Sequence, residues 1–101
     1  MGSRPVIKLK LYTVGNTVRS KRAISNLRRL CDGELKGNCI YEIIDIIDNP
    51  EVAEKEKIVA TPALVKVFPL PARRIIGDLS DSEKVLGVFG IEPNSGGGSN
   101  D

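Results

Sequence analysis

Residues Ile58 to Asp81 read I-V-A-T-P-A-L-V-K-V-F-P-L-P-A-R-R-I-I-G-D-L-S-D. Proline lacks the N–H that a sheet ladder needs, so Pro62 directly before an apolar run is an unusual placement for a core strand. A cis Thr61–Pro62 bond, turning the chain sharply into Ala63–Phe68, accounts for it. Pro69 and Pro71 then hold a corner, and Arg73–Ile76 returns as a short antiparallel strand. Next, Ser80-Asp81-Ser82-Glu83 has the form of a capping box, with Ser80 at the N-cap and Glu83 three residues on. It opens a helix whose apolar residues are Val85, Leu86, Val88 and Phe89, stopped by Pro93.

Working back from that stretch, Val6–Val14 alternates, with Leu9 and Leu11 facing one way and Lys8 and Lys10 the other, which is a strand. A Gly15-Asn16-Thr17 turn leads into a helix over Val18–Asp32. Its buried stripe is Ala23, Ile24, Leu27, Leu30 and Cys31, with Arg19, Lys21, Arg22, Arg28 and Arg29 mostly opposite. Gly33 suits the helix stop. Ile40–Ile47 is nearly continuous and β-branched, as expected of a strand buried on both faces. Strand, helix and strand in this order make a right-handed unit with a parallel pair. Asn49, Pro50 and Glu51 start a short helix to about Glu56, with Asn49 as N-cap.

A chain of 101 residues holds one domain with a modest core. We place it at 6–92, with an N-terminal arm over 1–5 and a flexible Gly/Ser tail over 93–101. A net charge of +2 is too small to argue for nucleic acid, and no apolar run approaches the ~20 residues of a membrane span. Two cysteines, Cys31 and Cys39, do not make a disulfide framework, which points to a reducing, cytoplasmic compartment. Each reads as a small hydrophobe of the core or its edge. The absence of histidine removes the commonest general base and metal ligand. No phosphate loop or metal-ligand spacing is present, so no cofactor is expected. Asp45, Asp48, Asp78 and Asp81 are explained by caps and turns.

The order βαβαββα, with a proline before the third strand, resembles the thioredoxin arrangement. A thioredoxin enzyme needs Cys-x-x-Cys at the start of its first helix, where the helix dipole lowers the thiol pKa. That place reads Asn16-Thr17-Val18-Arg19. The residues therefore favour a binding module over an enzyme. A thiol-redox enzyme using Cys31 or Cys39 stands as the alternative.

Three segments carry a closer resemblance: L-K-L-Y-T-V-G-N-T from Leu9, I-D-I-I-D-N-P-E-V-A-E-K-E-K-I-V-A-T-P-A-L-V-K from Ile44, and P-L-P-A-R-R-I-I-G-D-L-S-D-S-E-K-V-L from Pro69. Together they resemble the KaiB family of bacterial circadian clock proteins. The resemblance implies a non-catalytic adaptor that binds the N-terminal ATPase ring of the hexameric KaiC, in competition with a sensor kinase. It also implies metamorphism, with a resting βαββααβ tetramer and a thioredoxin-like monomer that binds. By position, Glu54, Glu56, Lys57, Lys66, Arg73 and Arg74 become candidates for the ATPase-facing surface, while Pro62 and Ser80 are structural.

The departures from the family pattern concern state and partners. After Leu86 the chain reads G-V-F-G-I-E-P where clock members run I-G-L-D-L-L-Y, which disfavours the tetramer and favours the monomer. Glu42 replaces a customary lysine near the surface used for KaiA, and that reversal disfavours KaiA. Cys39 and Val18 replace a tyrosine and a proline. A non-clock role for a paralogue in stress or signalling is a further alternative.

Overall fold

The computed structural model describes residues 6–35 and 38–90. The expected arm and tail, together with Pro93, lie outside the described residues, so the 6–92 boundary stays an expectation. Seven elements follow one another as β1 (Ile7–Thr13), α1 (Val18–Asp32), β2 (Cys39–Asp45), α2 (Pro50–Lys55), β3 (Ala63–Phe68), β4 (Arg73–Ile76) and α3 (Ser82–Phe89). The order is βαβαββα, as the sequence patterns imply.

The strands form one mixed sheet in the order β2-β1-β3-β4. β1 and β2 run parallel; β3 pairs antiparallel with β1 and with β4. Side chains alternate across a sheet, so register sorts them by face. Leu11 lies opposite Leu64, and Leu64 opposite Ile75. These residues and Leu9 join Ala23, Leu27 and Leu30 of α1 and Val85, Leu86 and Phe89 of α3 in the core. On the other face, Tyr12 lies in register with Ile44, Ala63 and Ile76.

β2 corrects one reading. It is an edge strand, paired only with β1 and largely half-buried, not buried on both faces. A run of apolar residues measures burial poorly when one rim of the strand has no neighbour.

Local chemistry sets the helix ends. Thr17 caps α1, its Oγ1 accepting from the Ser20 N–H at 3.2 Å. Gly33 ends that helix for a spatial reason, since a Cβ there would lie 2.9 Å from the Arg29 carbonyl oxygen. Asn49 occupies the N-cap position of α2, yet its Nδ2 donates back to the Asp45 carbonyl and caps nothing. At α3 the cap is Asp81, whose Oδ1 accepts from the Lys84 N–H at 3.1 Å. The expectation of Ser80 as N-cap is thereby corrected. In a capping box Glu83 would take the Ser80 N–H, but Asp78 Oδ1 already holds it at 3.1 Å, and the helix starts later. α3 ends at Gly90 in the left-handed region, ahead of Pro93.

Two other expectations meet the structure directly. Thr61–Pro62 is cis, as are Phe68–Pro69 and Leu70–Pro71. Cys31 and Cys39, read as unpaired hydrophobes, are joined as a disulfide with Cα atoms 5.6 Å apart. Their eight-residue separation spans the α1–β2 turn, whose buried Leu35 folds the chain back to the Leu30 carbonyl.

Two glycine substitutions separate space from propensity. Gly87 sits inside α3 with open space around a would-be Cβ, so Gly87→Ala should stabilise the domain by about 1 kcal/mol. Gly33→Ala should instead destabilise it by about 1 to 3 kcal/mol through the close carbonyl. Urea unfolding midpoints read both signs.

Candidate functional site

The candidate residues separate by strand parity. Arg74 shares a face with Tyr12 and Lys10, because Val65 lies opposite both Lys10 and Arg74. Lys10 in turn faces Glu42 of β2. A row Glu42, Lys10, Val65, Arg74 therefore crosses the whole sheet on this side. α2 descends onto the same face, and its C-terminal end meets Arg74. The guanidinium donates from Nη1 to the Lys57 carbonyl at 3.0 Å and from Nη2 to the Glu56 carbonyl.

Those carbonyls end a helix and have no intrahelical partner, so a cation there satisfies both the hydrogen bonds and the dipole. Lys57 adopts φ 57°, which aims the chain out of the helix and toward Ile58. Glu54, Glu56 and Lys57 are all exposed around this junction. Tyr12 lies buried beneath it. Burial, then the negative charge of Glu56, pushes its hydroxyl pKa up, with Arg74 pulling the other way and Glu42 adding a smaller push. The Tyr12 side chain thus stays neutral at any physiological pH.

Arg73 and Lys66 belong to the opposite face, where they lie opposite one another. Arg73 is exposed, and its Nη1 donates to its neighbour's carbonyl, Ala72 O, at 3.3 Å. Lys66 is not a surface residue. It is 5% exposed, and its Nζ donates to the Phe89 carbonyl at 3.1 Å, holding the end of α3. Its long aliphatic stem permits that burial, and its charge suits a helix C-terminus. The expectation that Lys66 faces a partner is corrected on this ground. The structure brings together Glu54, Glu56, Lys57 and Arg74, and sets Arg73 apart.

Pro62 is buried, and its carbonyl accepts from the Gly77 N–H at 2.9 Å, tying the loop before β3 to the end of β4. Ser80 is exposed in the β4–α3 loop. There the Asp78 carboxyl is held below its ordinary pKa by hydrogen bonds from Ser80, hydroxyl first and backbone second, with help from Arg22 and Arg19. Arg22 Nη1 approaches Asp78 at 3.9 Å, and Asn26 Nδ2 donates to the Asp78 carbonyl at 2.8 Å. These bonds join the loop to α1. Asp45 is likewise structural, its Oδ1 accepting from Gly15 and Ile47 N–H groups.

Exposed apolar side chains escaped the sequence reading. Val59 is 91% exposed beside the α2 junction, and Ile76 stands exposed one rung from Arg74 on the same face. The alternation of β4 contained the signal for Ile76, since it shares parity with Arg74. Among the described residues no three His, Cys, Asp or Glu side chains cluster as metal ligands, and no helix is long and apolar enough to cross a membrane.

The KaiB domain matches residues 10–91. The chain belongs to the KaiB family. It is 52% identical over 86 residues to the circadian clock oscillator protein KaiB of Synechococcus elongatus, covering 85% of this chain and 84% of that one. The KaiB of a Prochlorococcus marinus strain is 51% identical over 86 residues, 85% of this chain and 82% of the relative. In fold, the chain is similar to the N-terminal domain of Synechococcus elongatus SasA, with TM-score 0.67 at 24% identity over 88% of each chain. It is also similar to mitochondrial thioredoxin 3 of Saccharomyces cerevisiae, with TM-score 0.69 at 15% identity over 87% of this chain and 81% of that one. The thioredoxin-like architecture of this KaiB-family chain is thus shared with proteins of little sequence likeness.

The Asp78 network has a pH signature. Its carboxyl pKa is lower in the folded chain than in the unfolded one, so its contribution is present above about pH 4 and fades as pH falls through the folded value. Asp78→Asn should lower the melting temperature by a few degrees at neutral pH, and the difference from wild type should shrink in acid. Thermal melts from neutral to acid pH read this.

Proposed function

We propose that this KaiB-family chain is a cytoplasmic, non-catalytic clock adaptor that docks on the N-terminal ATPase ring of a KaiC-type hexamer. It does so in its thioredoxin-like state and as a monomer. The observation that carries the reading is the α2–β4 junction. Two acidic residues, Glu54 and Glu56, and two cations, Lys57 and Arg74, stand there beside exposed Val59 and Ile76. An apolar centre ringed by charges of both signs is the anatomy of a protein interface. Arg73, on the other face, is a separate candidate contact outside this junction. Two domains of one fold can present one docking face, which is the physical basis for competition with a thioredoxin-like kinase domain.

Fold switching belongs to the same reading. α3 has a glycine in its interior and Gly90 at its end, so it is weak in propensity and depends on packing against the sheet. Two packings separated by a few kcal/mol allow a partner that binds one of them to select it. The βαββααβ tetramer would be the stored alternative. Glu42, exposed on β2, puts an acid where the family usually has a lysine near the surface used for KaiA, which disfavours KaiA in this reading.

A thiol-redox enzyme fits the geometry poorly. Cys31 lies ~20 Å along α1 from the helix N-terminus, where a thioredoxin enzyme needs its Cys-x-x-Cys.

Co-sedimentation or size-exclusion binding to a KaiC-type hexamer, with each nucleotide in turn, tests the adaptor. Lys57→Glu and Glu54→Lys should each weaken binding about tenfold or more while leaving the melting temperature unchanged, since both side chains are exposed. Arg74→Glu should lose binding and stability together. Unchanged affinity in both Lys57→Glu and Glu54→Lys would refute the docking face.

A further inference from the structure

We infer that Cys31 and Cys39 form a reversible redox staple that makes the stability of this domain depend on the thiol–disulfide balance around it. The inference stands apart from the adaptor reading, because neither cysteine belongs to the α2–β4 junction. Cys31 lies in the last turn of α1 and is 2% exposed; Cys39 is the first residue of edge strand β2 and is partly exposed. Their Cα atoms are 5.6 Å apart, within the usual spacing of a disulfide.

The backbone holds that spacing independently of the sulfurs. Gly33 donates to the Arg29 carbonyl, Leu35 to the Leu30 carbonyl and Asn38 to the Leu35 carbonyl. Ile7 donates to the Asn38 carbonyl and lies in register with Cys39. Buried Leu35 anchors the turn in the core. A pair of thiols fixed side by side by the surrounding fold oxidises as an intramolecular reaction. Reduction leaves two small hydrophobes in compatible surroundings, so both forms keep the fold.

The asymmetry of exposure sets the order of events. A thiolate of glutathione attacks Cys39 Sγ, the accessible sulfur; the Cys31–Cys39 bond breaks, and Cys31 leaves as a thiolate that takes a proton from water. A second glutathione attacks the sulfur of the first, releasing the Cys39 thiolate and oxidised glutathione. The reverse sequence, with oxidised glutathione as the electron acceptor, restores the staple. No other cysteine competes, because the chain has only these two. The closed form constrains the unfolded chain across the α1–β2 turn and should melt on the order of 10 °C higher than the open form.

The full chain, equilibrated in glutathione buffers from strongly reducing to strongly oxidising, should change from two alkylatable thiols to none. Intact mass should fall by two hydrogens, and the melting temperature should rise in step. Cys39→Ser, altered at the partly exposed position, should melt at the reduced wild-type temperature in every buffer. Two free thiols in the most oxidising buffer would overturn the inference. So would a disulfide that survives a large excess of reduced glutathione, or one that forms without moving the melting temperature.

Discussion

A buried ammonium group must find an acceptor, and Lys66 finds the last carbonyl of α3. The strand position alone would have put this side chain under the helix and away from water, a costly place for a charge. The Phe89 carbonyl, orphaned by the end of the helix, supplies what the charge needs, and the charge supplies what the carbonyl needs. That contact adds to the seating of α3 on the sheet, where Val85, Leu86 and Phe89 close the core. Arg74 does the corresponding job for α2 on the other side of the sheet. Adjacent antiparallel strands thus carry one cation for each face, and each cation closes a helix C-terminus.

This arrangement divides the molecule into a packed side and a presenting side. α1 and α3 cover the apolar residues of all four strands, while the shorter α2 leaves much of its face open around Arg74, Ile76 and the Glu42–Lys10 pairing. The relatives the chain matches are named circadian clock oscillator proteins, and the adaptor role proposed above would use this open side. The β4–α3 loop, knotted to α1 through Asp78, Arg22 and Asn26, keeps the two sides in fixed relation.

Most of the architecture was legible in the residues because alternation and helical stripes report burial directly. β1, β3, β4 and the stripe of α1 fall where the patterns place them. What escaped depended on competition or on long-range placement. Ser80 and Asp81 are both competent caps, and the choice turns on whether Asp78 or Glu83 takes one N–H. The Ile40–Ile47 run cannot show that β2 lacks a neighbour on one side. Lys66 looks like a surface lysine until the register puts it on the helix-covered face. Of the candidate surface, the Glu54, Glu56, Lys57 and Arg74 cluster came from resemblance by position. Only the fold shows the backbone carbonyls that unite it. Cys31 and Cys39 could not be paired from spacing, since an eight-residue separation says nothing about how the turn folds back.

Arg73 and Arg74 are neighbours in the chain and strangers in space. One stands exposed beside its own Ala72 carbonyl, the other reaches into the α2 junction, with the thickness of the sheet between them. A substitution at either site can therefore retune one surface of the protein and leave its reverse untouched. For a lineage that must keep an old partner while acquiring or shedding another, such a dipeptide offers two independent dials.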